Sequence, residues 1–212
     1  MRQRNIKNLD ERIANNSRCL IENPAECKGR WSLVFGNDNP IYLEIGCGKG
    51  QFIVSRAARY SDRNFIAVEG QGNVIIRALE KAESSQLENL RIFKDFVHDL
   101  EDYFNEGELS GIYLNFSDPW PKARHAKRRL TFRRRLENYK KVLCNDGFVE
   151  FKTDNDQLFD FTLEEIGAAG YKIKEITRNL HEEKCVFESK EFTTEYEDKF
   201  SGKGKNINYV KF

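Results

Sequence analysis

The segment Ile41-Tyr42-Leu43-Glu44-Ile45-Gly46-Cys47-Gly48-Lys49-Gly50 constrains the fold of this 212-residue chain more than any other. Its first half is a run of β-formers, and its second half sets glycines at alternate positions. Phe52, Ile53, Ala57 and Ala58 then recur at helical spacing. A strand therefore enters a sharp turn and leaves as a helix. Glycine permits that turn, because a loop without Cβ atoms can bend tightly and lets a ligand approach amide N–H groups at the helix start. The pattern repeats at Phe65-Ile66-Ala67-Val68, a second strand, followed by one apolar helical stripe through Val74, Ile75, Ala78, Leu79 and Ala82. The result is a βαβα unit.

Further short apolar runs at 90–93, 112–116 and 148–151 predict more strands, with a helix between the last two marked by Leu136, Tyr139 and Leu143. Residues 156–169 predict another helix, with Asp154 and Asn155 as cap candidates and Gly170 as its stop; 171–176 and 206–212 predict closing strands. Strands alternating with crossover helices define an α/β fold with a doubly wound, mostly parallel sheet. Residues 1–39 are polar and Asn-rich, with Arg2, Arg4 and Lys7 early and Trp31, Leu33, Val34 and Phe35 late. They predict an N-terminal arm; residues 40–212 predict a single domain.

A dinucleotide loop would need glycine where Gln51 stands, and no Gly-Lys-Ser/Thr phosphate loop occurs. Glu44 ends the first strand. Glu69 ends the second, where folds of this kind place the carboxylate that holds a ribose. Two acids beside the glycine loop repel a pyrophosphate but suit a ligand with a ribose and a cationic end. S-adenosylmethionine is such a ligand. With EIGCGKG and Glu69 the chain resembles the class I, Rossmann-like S-adenosylmethionine-dependent methyltransferases, and the resemblance implies that Glu44, Gly46, Gly48 and Glu69 bind this cofactor.

Near-equal charge totals, 35 Lys+Arg against 34 Asp+Glu, conceal an asymmetry. Residues 121–141 carry ten basic residues and one acid, Glu137, a net of +9, which leaves −8 on the rest of the chain. So many like charges on successive helical turns repel one another, a cost that a polyanion converts to attraction. Nucleic acid is the partner this distribution favours. The basic run follows Ser117-Asp118-Pro119-Trp120-Pro121-Lys122, where two prolines stiffen a loop at the carboxyl edge of the sheet. Asp118 suits the N1–H and amino edge of a flat guanine as an acceptor; Trp120 either stacks on that base or packs inward.

NFSDPWPKARHAKRRLT, EIGCGKGQF, FKTDN and TEYEDKF together resemble the bacterial tRNA (guanine-N7)-methyltransferase family. The resemblance implies methyl transfer to N7 of guanosine 46 in the tRNA variable loop, with Asp118 as the catalytic residue. It implies cofactor contacts from Glu44, Glu69, Asp95 and Asp118, with either Asp95 or the backbone near Phe96 at the adenine. It assigns substrate binding to Lys122, Asp154, Thr194, Glu195, Tyr196 and Glu197, and RNA contact to Arg124, His125, Ala126, Lys127, Arg128 and Arg129. Guanine N7 bears a lone pair and no proton, so no general base is expected. Lys122 is expected to hold a phosphate or base oxygen as a fixed charge.

Two other classes remain open at this stage: a non-catalytic RNA-binding protein with a purely structural glycine loop, and a class I methyltransferase acting on another RNA atom. Five scattered cysteines without a Cys-x-x-Cys pair disfavour a disulfide framework and a zinc finger, and His98, His125 and His181 lack ligand spacing, so no metal is expected. No apolar run reaches the ~18 residues of a membrane span, and the start lacks a signal-peptide core, which predicts a cytoplasmic protein without membrane association. The sequence does not choose between monomer and homodimer.

Overall fold

The computed structural model describes residues 6–202 and 204–212; Arg2 and Arg4 of the arm lie outside them. Among these residues the helices are α1 (Leu9–Asn15), α2 (Trp31–Phe35), α3 (Gln51–Arg59), α4 (Gly72–Ser84), α5 (Arg133–Val142), α6 (Asp156–Ala168) and α7 (Glu195–Ser201). The strands are β1 (Ile41–Ile45), β2 (Asn64–Val68), β3 (Leu90–Phe93), β4 (Leu109–Asn115), β5 (Leu143–Thr153), β6 (Glu175–Thr177) and β7 (Asn208–Lys211). They form one sheet in the order β3-β2-β1-β4-β5-β7-β6. The first five pair in parallel, whereas β7 runs antiparallel to both β5 and β6.

Strand alternation feeds two cores. Phe65 and Ala67 point into a layer with Phe52, Ile53, Ile75 and Leu79 of α3 and α4. Ile66 and Val68 point the other way, to Trp31 of α2, Leu136 and Tyr139 of α5, and Phe159 of α6. Helices on both faces make the doubly wound α/β sandwich. The chain reverses its direction of winding between β1 and β4, so a crevice opens at their carboxyl ends, where such sheets bind ligands.

Residues 19–35 pack against the domain. The Ile92 amide donates to the Cys19 carbonyl (2.7 Å) and the Ile21 amide to the Ile92 carbonyl (2.8 Å), covering the β3 edge. Trp31 is fully buried, stacks on Phe104 at 5.6 Å, and donates its indole N–H to the Tyr103 carbonyl. No helix among the described residues is long and apolar enough to cross a membrane.

Several elements depart from the sequence expectation. Leu143, expected in a helix, opens β5 because it pairs with Leu109 of β4, and the strand expected at 171–176 is only Glu175–Thr177. β4 stops at Asn115 because Phe116 adopts a φ of +52°, which no strand accommodates. The basic run is not one helix: a 3-10 turn spans Ala123–Arg128, and α5 begins only at Arg133. Between them Arg129 is tied backwards to the proline-bounded loop, which holds the chain off a continuous helical path.

Candidate active site

The glycines of the first loop do two different things. A Cβ on Gly50 (φ +82°) would lie 2.7 Å from the Ala78 Cβ, so a side chain there would push α4 away. Cβ atoms on Gly46 and Gly48 would meet nothing within 4 Å, leaving the floor of the crevice bare. The loop is pinned from the next strand: Gly46 and Cys47 donate to the Val68 carbonyl (2.8 and 3.0 Å), and Gly48 donates to Glu69 Oε2 (3.1 Å). The Gln71 amide donates to Glu69 Oε1 (2.9 Å). Burial raises the Glu69 carboxyl above its ordinary value, while these backbone donors oppose the shift.

Two connected cavities open here, sharing Gly46, Asn115 and Phe116. The larger, about 710 Å³, brings together Glu69, Asp95, Phe96, Asp118, Trp120 and the cationic pair Lys127 and Arg128. The smaller, about 350 Å³, gathers Glu44, Gly46 and Gly48 with Thr194, Glu195 and Tyr196. Glu44 is fully buried; Oε1 accepts from Asn115 Nδ2 (2.8 Å), and Oε2 has no partner. Burial pushes its pKa up to about 7. An orphaned carboxylate oxygen beside a bare glycine floor fits the ammonium end of S-adenosylmethionine, and Glu69 lies where a ribose would sit. Asp95 accepts from the Tyr103 hydroxyl (2.6 Å) at the wall of the larger cavity. Cys47, between these acids, is held as a thiol by burial, so the loop offers no nucleophile.

The proline-bounded loop after β4 is over-determined. Phe116 (φ +52°) and Trp120 (φ +43°) both occupy the left-handed region and bracket Ser117, Asp118 and Pro119. Arg129 holds that strained backbone, donating Nε to the Pro119 carbonyl (3.0 Å) and Nη2 to the Trp120 carbonyl (3.1 Å) while its guanidinium lies 4.2 Å from the Phe161 ring centroid. Arg128 covers a face of Trp120 at 4.8 Å, and His125 meets the ring edge-on at 5.7 Å. Asp118 is exposed at the cavity mouth. Lys122 and Arg124 are exposed beyond it and line neither lobe, and the Ala126 carbonyl accepts from the Arg129 amide. Within the expected RNA segment, Arg129 is therefore engaged behind the loop, whereas Lys127 and Arg128 face the cavity.

The TEYE stretch begins α7. Thr194 caps the helix and Glu197 completes a reciprocal capping box. Glu197 is fully buried beneath the site: Oε2 lies 3.3 Å from Lys152 Nζ, and Oε1 lies 2.8 Å from His181 Nε2. Lys152, itself buried, also donates to the Ser189 and Phe192 carbonyls at 2.7 and 2.6 Å. Burial lowers its pKa against the pull of Glu197. Tyr196 packs on Phe116 at 5.0 Å and donates its hydroxyl to Asp154 Oδ2 (3.1 Å), which also pairs with Lys205 at 2.6 Å. Glu195 pairs with Lys81 of α4. Gln51, read from sequence only as an excluded glycine, ties α3 to this stretch through Thr193 Oγ1 (3.2 Å) and Asp198 Oδ2 (2.7 Å).

Sequence reasoning missed Asn115 and Phe116, which form the joint between the two lobes. Their signal was position: they end β4 directly before the stiff loop. It also missed the division of labour among the arginines, since a sequence shows ten equal charges and not their partners. Among the described residues no group of three or more His, Cys, Asp and Glu could hold a metal ion.

Sheet order, glycine turn and acid-lined crevice define a class I, S-adenosylmethionine-dependent methyltransferase. A solved S-adenosylmethionine-dependent methyltransferase from Aquifex aeolicus shares the fold, with a TM-score of 0.54 at 13% identity over 97% of this chain and 98% of that one. The family model described as "Putative methyltransferase" matches residues 38–210. The tRNA (guanine-N(7)-)-methyltransferase of Lactococcus lactis subsp. cremoris is 45% identical over 98% of this chain and 95% of its own length. That of Brevibacillus brevis is 44% identical over 100% and 97%. The chain belongs to the tRNA (guanine-N(7)-)-methyltransferase family.

Proposed function

We propose that the protein transfers a methyl group from S-adenosylmethionine to N7 of guanosine 46 in the variable loop of tRNA. The observation that carries this reading is the junction at Asp118–Trp120, where a carboxylate-lined cavity suited to the cofactor opens directly beneath the cations Lys127 and Arg128. A protein that only bound RNA would gain nothing from an unpartnered buried carboxylate at Glu44. The catalytic unit is assigned to residues 40–212 and the N-terminal arm to residues 1–39, of which Cys19 to Ile21 lie along the β3 edge, with the protein acting in the cytoplasm.

When bound, S-adenosylmethionine supplies a methyl group on a sulfonium centre. The chain's own residues then have three tasks. Glu44 and Glu69 hold the cationic and ribose ends of the cofactor, and Asp95 borders the adenine side. Asp118 orients the guanine and stabilises the positive charge that N7 acquires, a contribution that grows towards the transition state. No residue has to remove a proton, so rate depends on alignment, and the Arg129 clamp on the strained loop serves that alignment. Asp154, Thr194, Glu195 and Tyr196 bound the substrate side, Glu197 supports them from below, and Lys122 with the 124–129 segment meets the RNA.

Single-turnover methylation of tRNA carrying 7-deazaguanosine at position 46 tests the target atom. Guanosine tRNA accepts one methyl group, and the deaza tRNA binds but accepts none. Equal transfer to both would move the reaction to another atom.

A further inference from the structure

A third cavity, about 580 Å³, adjoins the cofactor cavity and shares His98, Lys127 and Arg135 with it. We propose that this groove is a subsite for a single-stranded nucleotide flanking the target guanosine, with its phosphate on Lys127 and Arg134 and its base against Phe132. The proposal rests on the tRNA reading above and deepens it.

Charge partition supports the assignment. Of the cations in the basic run, Arg129 and Arg135 are spent on loop carbonyls, the latter on those of Val97 (2.9 Å) and His98 (3.2 Å). Arg133 faces Glu165, and Lys141 pairs with Glu101 at 2.8 Å. Lys127 and Arg134 line the groove, exposed, with no acidic partner among the described residues.

Helix electrostatics point the same way. Arg133, Arg134 and Arg135 open α5 with no acid in its first turn. Glu165 accepts from the Arg133 amide and faces its guanidinium, and Arg135 is held by carbonyls. That leaves Arg134 repelled by the positive end of the helix dipole, with no acidic partner among the described residues. An RNA phosphate in the groove offsets that repulsion.

Three acids also line the groove and would repel a phosphate: Glu137, one helical turn from Arg134, and Asp99 and Glu101 at the far end, the last two already engaged. Asp99 Oδ1 accepts from the Glu101 amide (3.0 Å), and Glu101 Oε2 accepts from Asn138 Nδ2 (3.0 Å) and Lys141. Asn138 Oδ1 accepts from the Leu100 amide (2.8 Å). This acidic wall sets where the phosphate path stops. Phe132 offers a ring on the groove wall, and stacking of that kind tolerates any base.

The test compares the salt dependence of tRNA binding for the wild-type protein, Arg134→Gln and, as a neighbour outside the groove, Arg133→Gln. Unchanged S-adenosylmethionine affinity confirms that each variant is folded. Loss of one phosphate contact lowers the log–log slope by about 0.7 to 0.9. The proposal predicts that decrease for Arg134→Gln and a wild-type slope for Arg133→Gln. If Arg134→Gln keeps the wild-type slope while the wild-type enzyme methylates tRNA, the groove assignment fails alone. The same decrease in both variants would replace the subsite with a diffuse field and also overturn it. Failure of the wild-type protein to bind tRNA would overturn the functional reading and the groove together.

Discussion

Replacing Glu44 by glutamine tests the cofactor site through protons. In the cofactor-free protein this buried carboxyl has a pKa of about 7 against an ordinary 4.5, because burial disfavours its charge and one oxygen lacks a partner. A folded value raised in this way makes the group stabilising below the ordinary carboxylate range, and that contribution is lost as pH rises through about 7. The shift corresponds to about 3 kcal/mol between the limits. A cationic ammonium beside Oε2 reverses the preference and drives the carboxyl to ionise. Binding at pH 6 should then release about 0.9 proton per cofactor and at pH 7 about half a proton, and affinity should fall roughly fivefold from pH 7 to pH 6. The cofactor's α-amino group ordinarily titrates near 7.7–8.0 and stays protonated in that window. Calorimetry in buffers of different ionisation enthalpy counts the protons. Glu44→Gln should bind about 10- to 100-fold more weakly, as expected for losing one charged hydrogen bond, release no proton, and lose the pH dependence. Its cofactor-free form should be more stable than wild type at pH 8. Proton release below 0.2 at pH 6 in the wild type, or an identical pH profile in the variant, would refute the pairing.

Asp118→Ala should lower single-turnover methyl transfer by about 10²-fold, with S-adenosylmethionine affinity changed far less; equal rates in rapid quench would remove Asp118 from the chemistry. Arg129→Gln releases two charged hydrogen bonds from the strained loop, so kcat should drop by roughly 10-fold or more while the salt slope of tRNA binding stays at its wild-type value. A reduced slope would return Arg129 to the RNA. Lys152→Met takes the buried cation from Glu197, leaving that carboxylate His181 and the Thr194 amide, and should cost about 3 kcal/mol in urea unfolding. Adding Glu197→Leu should recover much of that loss, and a double variant no more stable than Lys152→Met would discount the pair.

The sequence carried the first half of the fold well because its signals are local. β1 and β3 have the bounds read from their apolar runs, and β2 begins one residue earlier. The position of Glu69 directly after β2 was legible, and its hold on Gly48 is a duty that no spacing reveals. What stayed hidden depends on long-range partners. Gln51 reaches Thr193 and Asp198, and Arg129 takes a role in the proline-bounded loop that its basic neighbours do not share. Glu197 is a different case. The Thr194-x-x-Glu197 spacing is itself a capping-box signature, so its structural duty could have been read beside the motif resemblance that grouped it with substrate contacts.

The central claim is the target of the methyl group. Unmodified tRNA, incubated with the protein and methyl-labelled S-adenosylmethionine and then digested to nucleosides, should yield label in 7-methylguanosine alone. Fragment mapping should place that label at position 46 of the variable loop. Label in any other nucleoside, at any other position, or none at all would contradict the account.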